Sequence, residues 1–132
     1  MRILAALFID TIDLRQVAGP STRIDLGGVK FSEPAPGPFP VTLEPHLVVV
    51  VHCPDGGPAD AALEVTYWRG EEQIARNVQA LQVEPGKFNY RLVRAELTFD
   101  EPGSVEARVR VDLGEAVVVP FTLLAPVAPP AT

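Results

Sequence analysis

From Val105 to Leu113 apolar and polar side chains alternate one for one. Val105, Ala107, Val109, Val111 and Leu113 interleave with Glu106, Arg108, Arg110 and Asp112. A period of two is what a strand needs when one face is buried and the other is in water. Val93, Ala95, Leu97 and Phe99 repeat the pattern against Arg94, Glu96, Thr98 and Asp100, which predicts a single strand there. Leu63, Val65 and Tyr67 repeat it against Glu64 and Thr66. Several such ribbons in one chain bury their apolar faces against one another, so the alternation predicts an all-β fold.

The punctuation agrees. The chain holds 14 Pro and 10 Gly, and both residues break helices and mark turns. Pro54-Asp55-Gly56-Gly57-Pro58, Arg69-Gly70-Glu71, Glu84-Pro85-Gly86, Glu101-Pro102-Gly103 and Leu113-Gly114-Glu115 separate the apolar ribbons. Their spacing is close to the roughly 8–12 residues of a β-sandwich or barrel. The segment 71–81 lies between Gly70 and Pro85 and reads as the second strand of a hairpin rather than a helix. Ser32 to Pro40 carries four prolines and reads as an extended connector. Pro120 removes a ladder donor from the last strand, 116–124, and places it at an edge or a bulge.

Together these features predict a two-sheet, immunoglobulin-like β-sandwich of about seven to nine strands. Residues 1–125 form a single domain and 126–132 a Pro/Ala-rich tail. Cys53 is the only cysteine, so the sandwich has no internal disulfide. In immunoglobulin-like domains the penultimate strand commonly opens Gly-x-Tyr-x-Cys, whereas here it reads Gly103-Ser104-Val105-Glu106-Ala107. The likeness therefore extends to architecture and excludes an antibody-type domain. The Leu7-Phe8-Ile9-Asp10 opening, the Leu26-Gly27-Gly28 turn and Pro36-Gly37-Pro38-Phe39-Pro40 before a valine-rich strand carry a second likeness. Over residues 1–54 the chain resembles a bacterial family of small sandwich proteins of unknown function. That resemblance implies the fold and no activity.

Acidic residues outnumber basic ones by 17 to 11, for a net charge of −6. A nucleic-acid binder needs a basic face to displace phosphate counterions, so this balance argues against DNA and RNA. The apolar run Ile3 to Ile9 meets Asp10 at once, is too short to span a bilayer and has no cleavage site after it. It reads as a buried strand, and the chain as a cytoplasmic protein without a membrane partner.

No catalytic set emerges. His46 and His52 share a strand face but stand about 20 Å apart at 3.3 Å per residue, too far for a common metal ion. Ser21, Ser32 and Ser104 lack a Gly-x-Ser-x-Gly elbow. Cys53 is in phase with Leu47, Val49 and Val51 and reads as a core thiol. Asp10, Asp13 and Asp25 are the one carboxylate group that could hold calcium, with Thr11, but their spacing is also ordinary turn chemistry. Arg91, Arg94, Arg108 and Arg110 could gather on one sheet face, paired with Glu96, Glu106 and Asp112. The expectation is no catalytic residue, no cofactor and no metal.

One feature departs from a simple sandwich. Ile3 to Ile9, Leu47 to Val51 and most of Val117 to Leu124 are apolar on both faces. Leaving several Val and Leu side chains in water forfeits a few kcal/mol, at about 25 cal/mol per Å². Val48, Val50, Val118 and Leu124 are thus the candidate interaction surface, for a second copy of the chain or for another protein. The functional expectation is a non-enzymatic interaction or structural module. The alternative is a small-ligand binder or enzyme with a pocket at the loop ends near Asp10, Asp13, Asp25 and Tyr90.

Overall fold

The structure is a computed structural model that describes residues 1–15 and 23–127. Among these residues there are twelve strands and no helix. They are β1 (Arg2–Ile9), β2 (Thr11–Arg15), β3 (Arg23–Gly27), β4 (Ser32–Pro34), β5 (Val41–Leu43) and β6 (His46–His52). They continue as β7 (Asp60–Arg69), β8 (Glu72–Gln82), β9 (Phe88–Arg94), β10 (Leu97–Phe99), β11 (Gly103–Val111) and β12 (Val117–Leu124). Of the expected tail, Ala128 to Thr132 lies outside the described residues, as does Ser21.

Two sheets form the sandwich. One has the order β1-β6-β9 and the other β4-β12-β11-β7-β8. Without the short β4, this is the immunoglobulin-like arrangement, in which strands A-B-E face C′-C-F-G. The seven long strands fall within the number expected from the sequence. Five short ones, β2 to β5 and β10, raise the total.

The alternation in the sequence explains which side chains fill the interlayer. Leu63, Val65 and Tyr67 of β7 and Val105, Ala107 and Val109 of β11 point inward and are fully buried. They meet Phe8, Leu47, Val49, Val51 and Val93 from the other sheet. Phe8 and Phe121 touch across the layers with ring centroids 5.3 Å apart. Each such side chain contributes about 1.5–3 kcal/mol by leaving water. Tyr67 lies between Ala107 and Ala75 on the neighbouring strands, and the two small residues leave room for its ring. It fills the place that a buried Trp holds beside the disulfide in antibody domains. Its hydroxyl has no hydrogen-bond partner among the described residues.

Three local expectations change. The predicted strand through Val93 and Phe99 is two strands, because the chain leaves one pairing for another at Ala95-Glu96. β9 pairs with β6, whereas β10 pairs with β5. The Pro-rich connector begins with a strand, since Ser32 to Pro34 lie parallel to Thr122 to Leu124. β12 is consequently an edge only as far as Pro120 and is flanked by β4 beyond it. The hairpin β7–β8 forms as expected, with Gly70 at φ +60° in its turn.

Candidate interaction surface

The residues of β1, β6 and β9 that do not enter the core face outward in rows set by the pairing. Leu7, Val48 and Leu92 form one row, Ala5, Val50 and Tyr90 the next, and Ile9, His46 and Arg94 a third. Arg2, His52 and Phe88 close the far end. Only Arg2 and Arg94, at opposite ends, are formally charged. This outer face is therefore nearly as apolar as the inner one, as the doubly apolar sequences of β1 and β6 require.

The four nominated residues do not share this face. Val48 has no accessible surface, although it points away from the core. Ile9 on the same face is buried as well, so part of the surplus hydrocarbon is already hidden. Val48 is thus excluded as a contact residue. Val50 is half-buried on the same face. Val118 and Leu124, 50% and 47% exposed, sit on the outer side of β12 in the opposite sheet. The sequence marks each strand as doubly apolar but carries no record of which sheet holds it. Two exposed residues missed from the sequence belong to the β1-β6-β9 face or its border. They are Leu4, at the irregularity in β1, and Phe88, whose ring lies 4.6 Å from that of His52.

The hairpin β2–β3 adds a second apolar strip. Ile12 pairs with Leu26 and Leu14 with Ile24, so these four share one side. Asp13, Arg15, Arg23 and Asp25 share the other, where Arg15 Nε bonds Asp25 Oδ2 at 2.9 Å. Alternation in 11–15 and 23–27 carries this signal in the sequence. An isolated two-stranded ribbon has marginal stability in water.

Two of the carboxylates weighed for calcium, Asp10 and Asp25, are drawn into ion pairs. Lys30 Nζ lies 3.0 Å from Asp10 Oδ1 and 3.2 Å from Glu33 Oε2. Partial burial opposes the Lys30 charge, but the hydrogen bonds to Asp10 and Glu33 outweigh it and raise its pKa. Asp13 stands opposite Asp25 in the hairpin, and Tyr90 lies in mid-strand on the outer sheet face. Among the described residues no three His, Cys, Asp or Glu side chains are placed to hold a metal ion. Cys53 is buried, and its Sγ lies 3.4 Å from the Pro58 carbonyl oxygen, to which the thiol can donate. Ser104 Oγ is 2.7 Å from Thr122 Oγ1.

The arginines divide between the sheets. Arg91 and Arg94 are on β9, whereas Arg108 and Arg110 are on β11. On the outer side of β11-β7-β8 the pairing sets Arg108, Thr66 and Arg76 in one row. Glu106, Trp68 and Gln73 lie on one side of that row and Arg110, Glu64 and Val78 on the other. Glu64 is the hub. Arg76 donates to its Oε2 from Nη2 at 2.7 Å and Nε at 3.0 Å, and Arg110 Nε donates to Oε1 at 2.8 Å. These bonds, from Arg76 first and Arg110 next, hold the Glu64 carboxyl below its ordinary range. The sequence shows Glu64 on a polar face, but its partners lie 12 and 46 residues away and emerge only from the strand register.

No family model and no curated protein sequence matches the chain. Among solved structures it is similar to a beta-glucosidase from Listeria innocua in complex with gluconolactone, at 10% identity and TM-score 0.48. It is also similar to the beta-glucosidase from that organism in complex with glucose, at 12% identity and TM-score 0.45. Each alignment covers 89% of this chain and 16% of the beta-glucosidase, so the chain spans about a sixth of the length of the proteins it matches.

Proposed function

We propose that this chain is a non-enzymatic interaction module that associates with a second copy through the outer face of its β1-β6-β9 sheet. The observation that carries the reading is the near absence of charge across that face. An uncharged apolar surface can meet its own twofold copy without burying an unpaired ion. Val50, Leu92 and Leu7 supply hydrocarbon at its centre, and Phe88 supplies an aromatic anchor at one end. The cations Arg2 and Arg94 lie at the rims, where a twofold partner brings more cations.

This arrangement fixes the sign of the salt dependence. Salt screens repulsion between the rims, so association strengthens as salt is added. Light scattering during gel filtration is expected to give a mass above 14.2 kDa, increasing with sodium chloride. Val50→Lys returns the protein to a monomer, because the lysine stem can lie along the sheet while its charge opposes the copy. A protein that stays at 14.2 kDa at millimolar concentration in high salt overturns the reading.

A further inference from the structure

The opposite sheet carries a different kind of site. Thr66 is the small residue between Arg108 and Arg76, and the larger Trp68 and Glu64 stand on either side of it along β7. The result is a groove of about 360 Å³ over Thr66, lined also by Gln73, Arg110 and Ala116. Its donors are only partly used. Trp68 Nε1 donates to Thr66 Oγ1 at 2.9 Å, which leaves the threonine O–H free to donate outward. The Arg108 guanidinium lies over the Trp68 ring, 4.3 Å from its centroid, and is 3.6 Å from Glu106. Arg110 commits one nitrogen and Arg76 two to Glu64. Three guanidinium groups therefore share two carboxylates in a chain whose overall charge is −6.

We propose that this groove binds an oxyanion, the carboxylate or phosphate group of a small ligand. Thr66 and the arginines donate to its oxygens, and Trp68 forms one wall. Planar guanidinium forks match the geometry of both groups. Glu64 holds two of the forks in place by the same chemistry and competes with the ligand for them. The inference is independent of the association proposed above, which uses the other sheet.

Trp68 is the only tryptophan in the chain, so its fluorescence reports on this groove alone. The full chain is titrated at low ionic strength with citrate and, separately, with inorganic phosphate. Sodium chloride at matched ionic strength serves as the reference. A saturating change is expected with at least one oxyanion and not with chloride, and the arm that saturates identifies the group. Arg108→Gln is expected to weaken binding by about tenfold, the loss of a charge-assisted contact. Glu64→Gln is expected to tighten it several-fold, because it releases Arg76 and Arg110, and a folding defect cannot imitate that gain. Absence of saturation with both anions, an equal response to chloride, or unchanged affinity in both variants overturns the proposal.

Discussion

Tyr67→Phe removes one oxygen atom from the centre of the core and tests whether that atom is a burden. Tyr67 has no accessible surface, and its hydroxyl finds no partner among the described residues. Burial alone drives its pKa upward, so it remains neutral throughout the working range. A buried hydroxyl without a hydrogen bond costs about 1–3 kcal/mol relative to water. Phenylalanine keeps the ring between Ala75 and Ala107 and leaves only a small void. A net gain of about 1 kcal/mol is therefore expected, equivalent to a rise of about 3–4 °C in Tm for 132 residues. Scanning calorimetry reads the Tm, and urea unfolding at constant m value reads the free energy. A loss of 1 kcal/mol or more would show instead that the hydroxyl is hydrogen-bonded in solution.

Three further outcomes follow from named contacts. Cys53 is fully buried, so an aromatic disulfide reagent should label it only as fast as the domain opens, and labelling within seconds in native buffer would contradict its placement. Gly28 has φ +63°, and a Cβ there would strike the Asp10 carboxylate, so Gly28→Ala is expected to lower the unfolding free energy by at least about 1–2 kcal/mol, read from a lower urea midpoint. Glu64 has a lowered pKa in the folded chain, so its contribution is complete above the ordinary value of 4.5 and disappears as pH falls through the lowered one. Glu64→Gln should consequently flatten the acid limb of the stability curve below pH 4.5, and an unchanged limb would show that the pairing is energetically silent.

The inward and outward residues of β7 and β11 were legible because each strand has one wet face. Alternation then identifies most of the buried set: Leu63, Val65, Tyr67, Val105, Ala107 and Val109 lie in the core, whereas Leu113 of the same run falls beyond the end of β11 at Val111, after the positive-φ Asp112, and is exposed. Strands that are apolar on both faces carry no such signal. Leu47 to Val51 reads the same from either side, and nothing in that run shows that Val48 is buried while Val50 on the same face is only half-buried. Alternation also persists through Ala95 and Glu96, where the chain changes partners, because a change of pairing need not interrupt a period of two. The polar groove illustrates a third loss. Its residue types are ordinary, and their meaning arises from a register that sets Arg108, Thr66 and Arg76 side by side.

The parallel pairing of β4 with β12 has a consequence for how the chain assembles. Hairpin β7–β8 closes across a turn of two residues, whereas Ser32 must find Thr122 across most of the chain. Loop-closure entropy makes the second step late, after the other strands have fixed the position of β12. Until then the backbone of Thr122 to Leu124 is an open rim to which a neighbouring molecule could add a strand. Pro120 withholds an amide donor beside that rim, so the unfinished fold is already poorly suited to templating an aggregate.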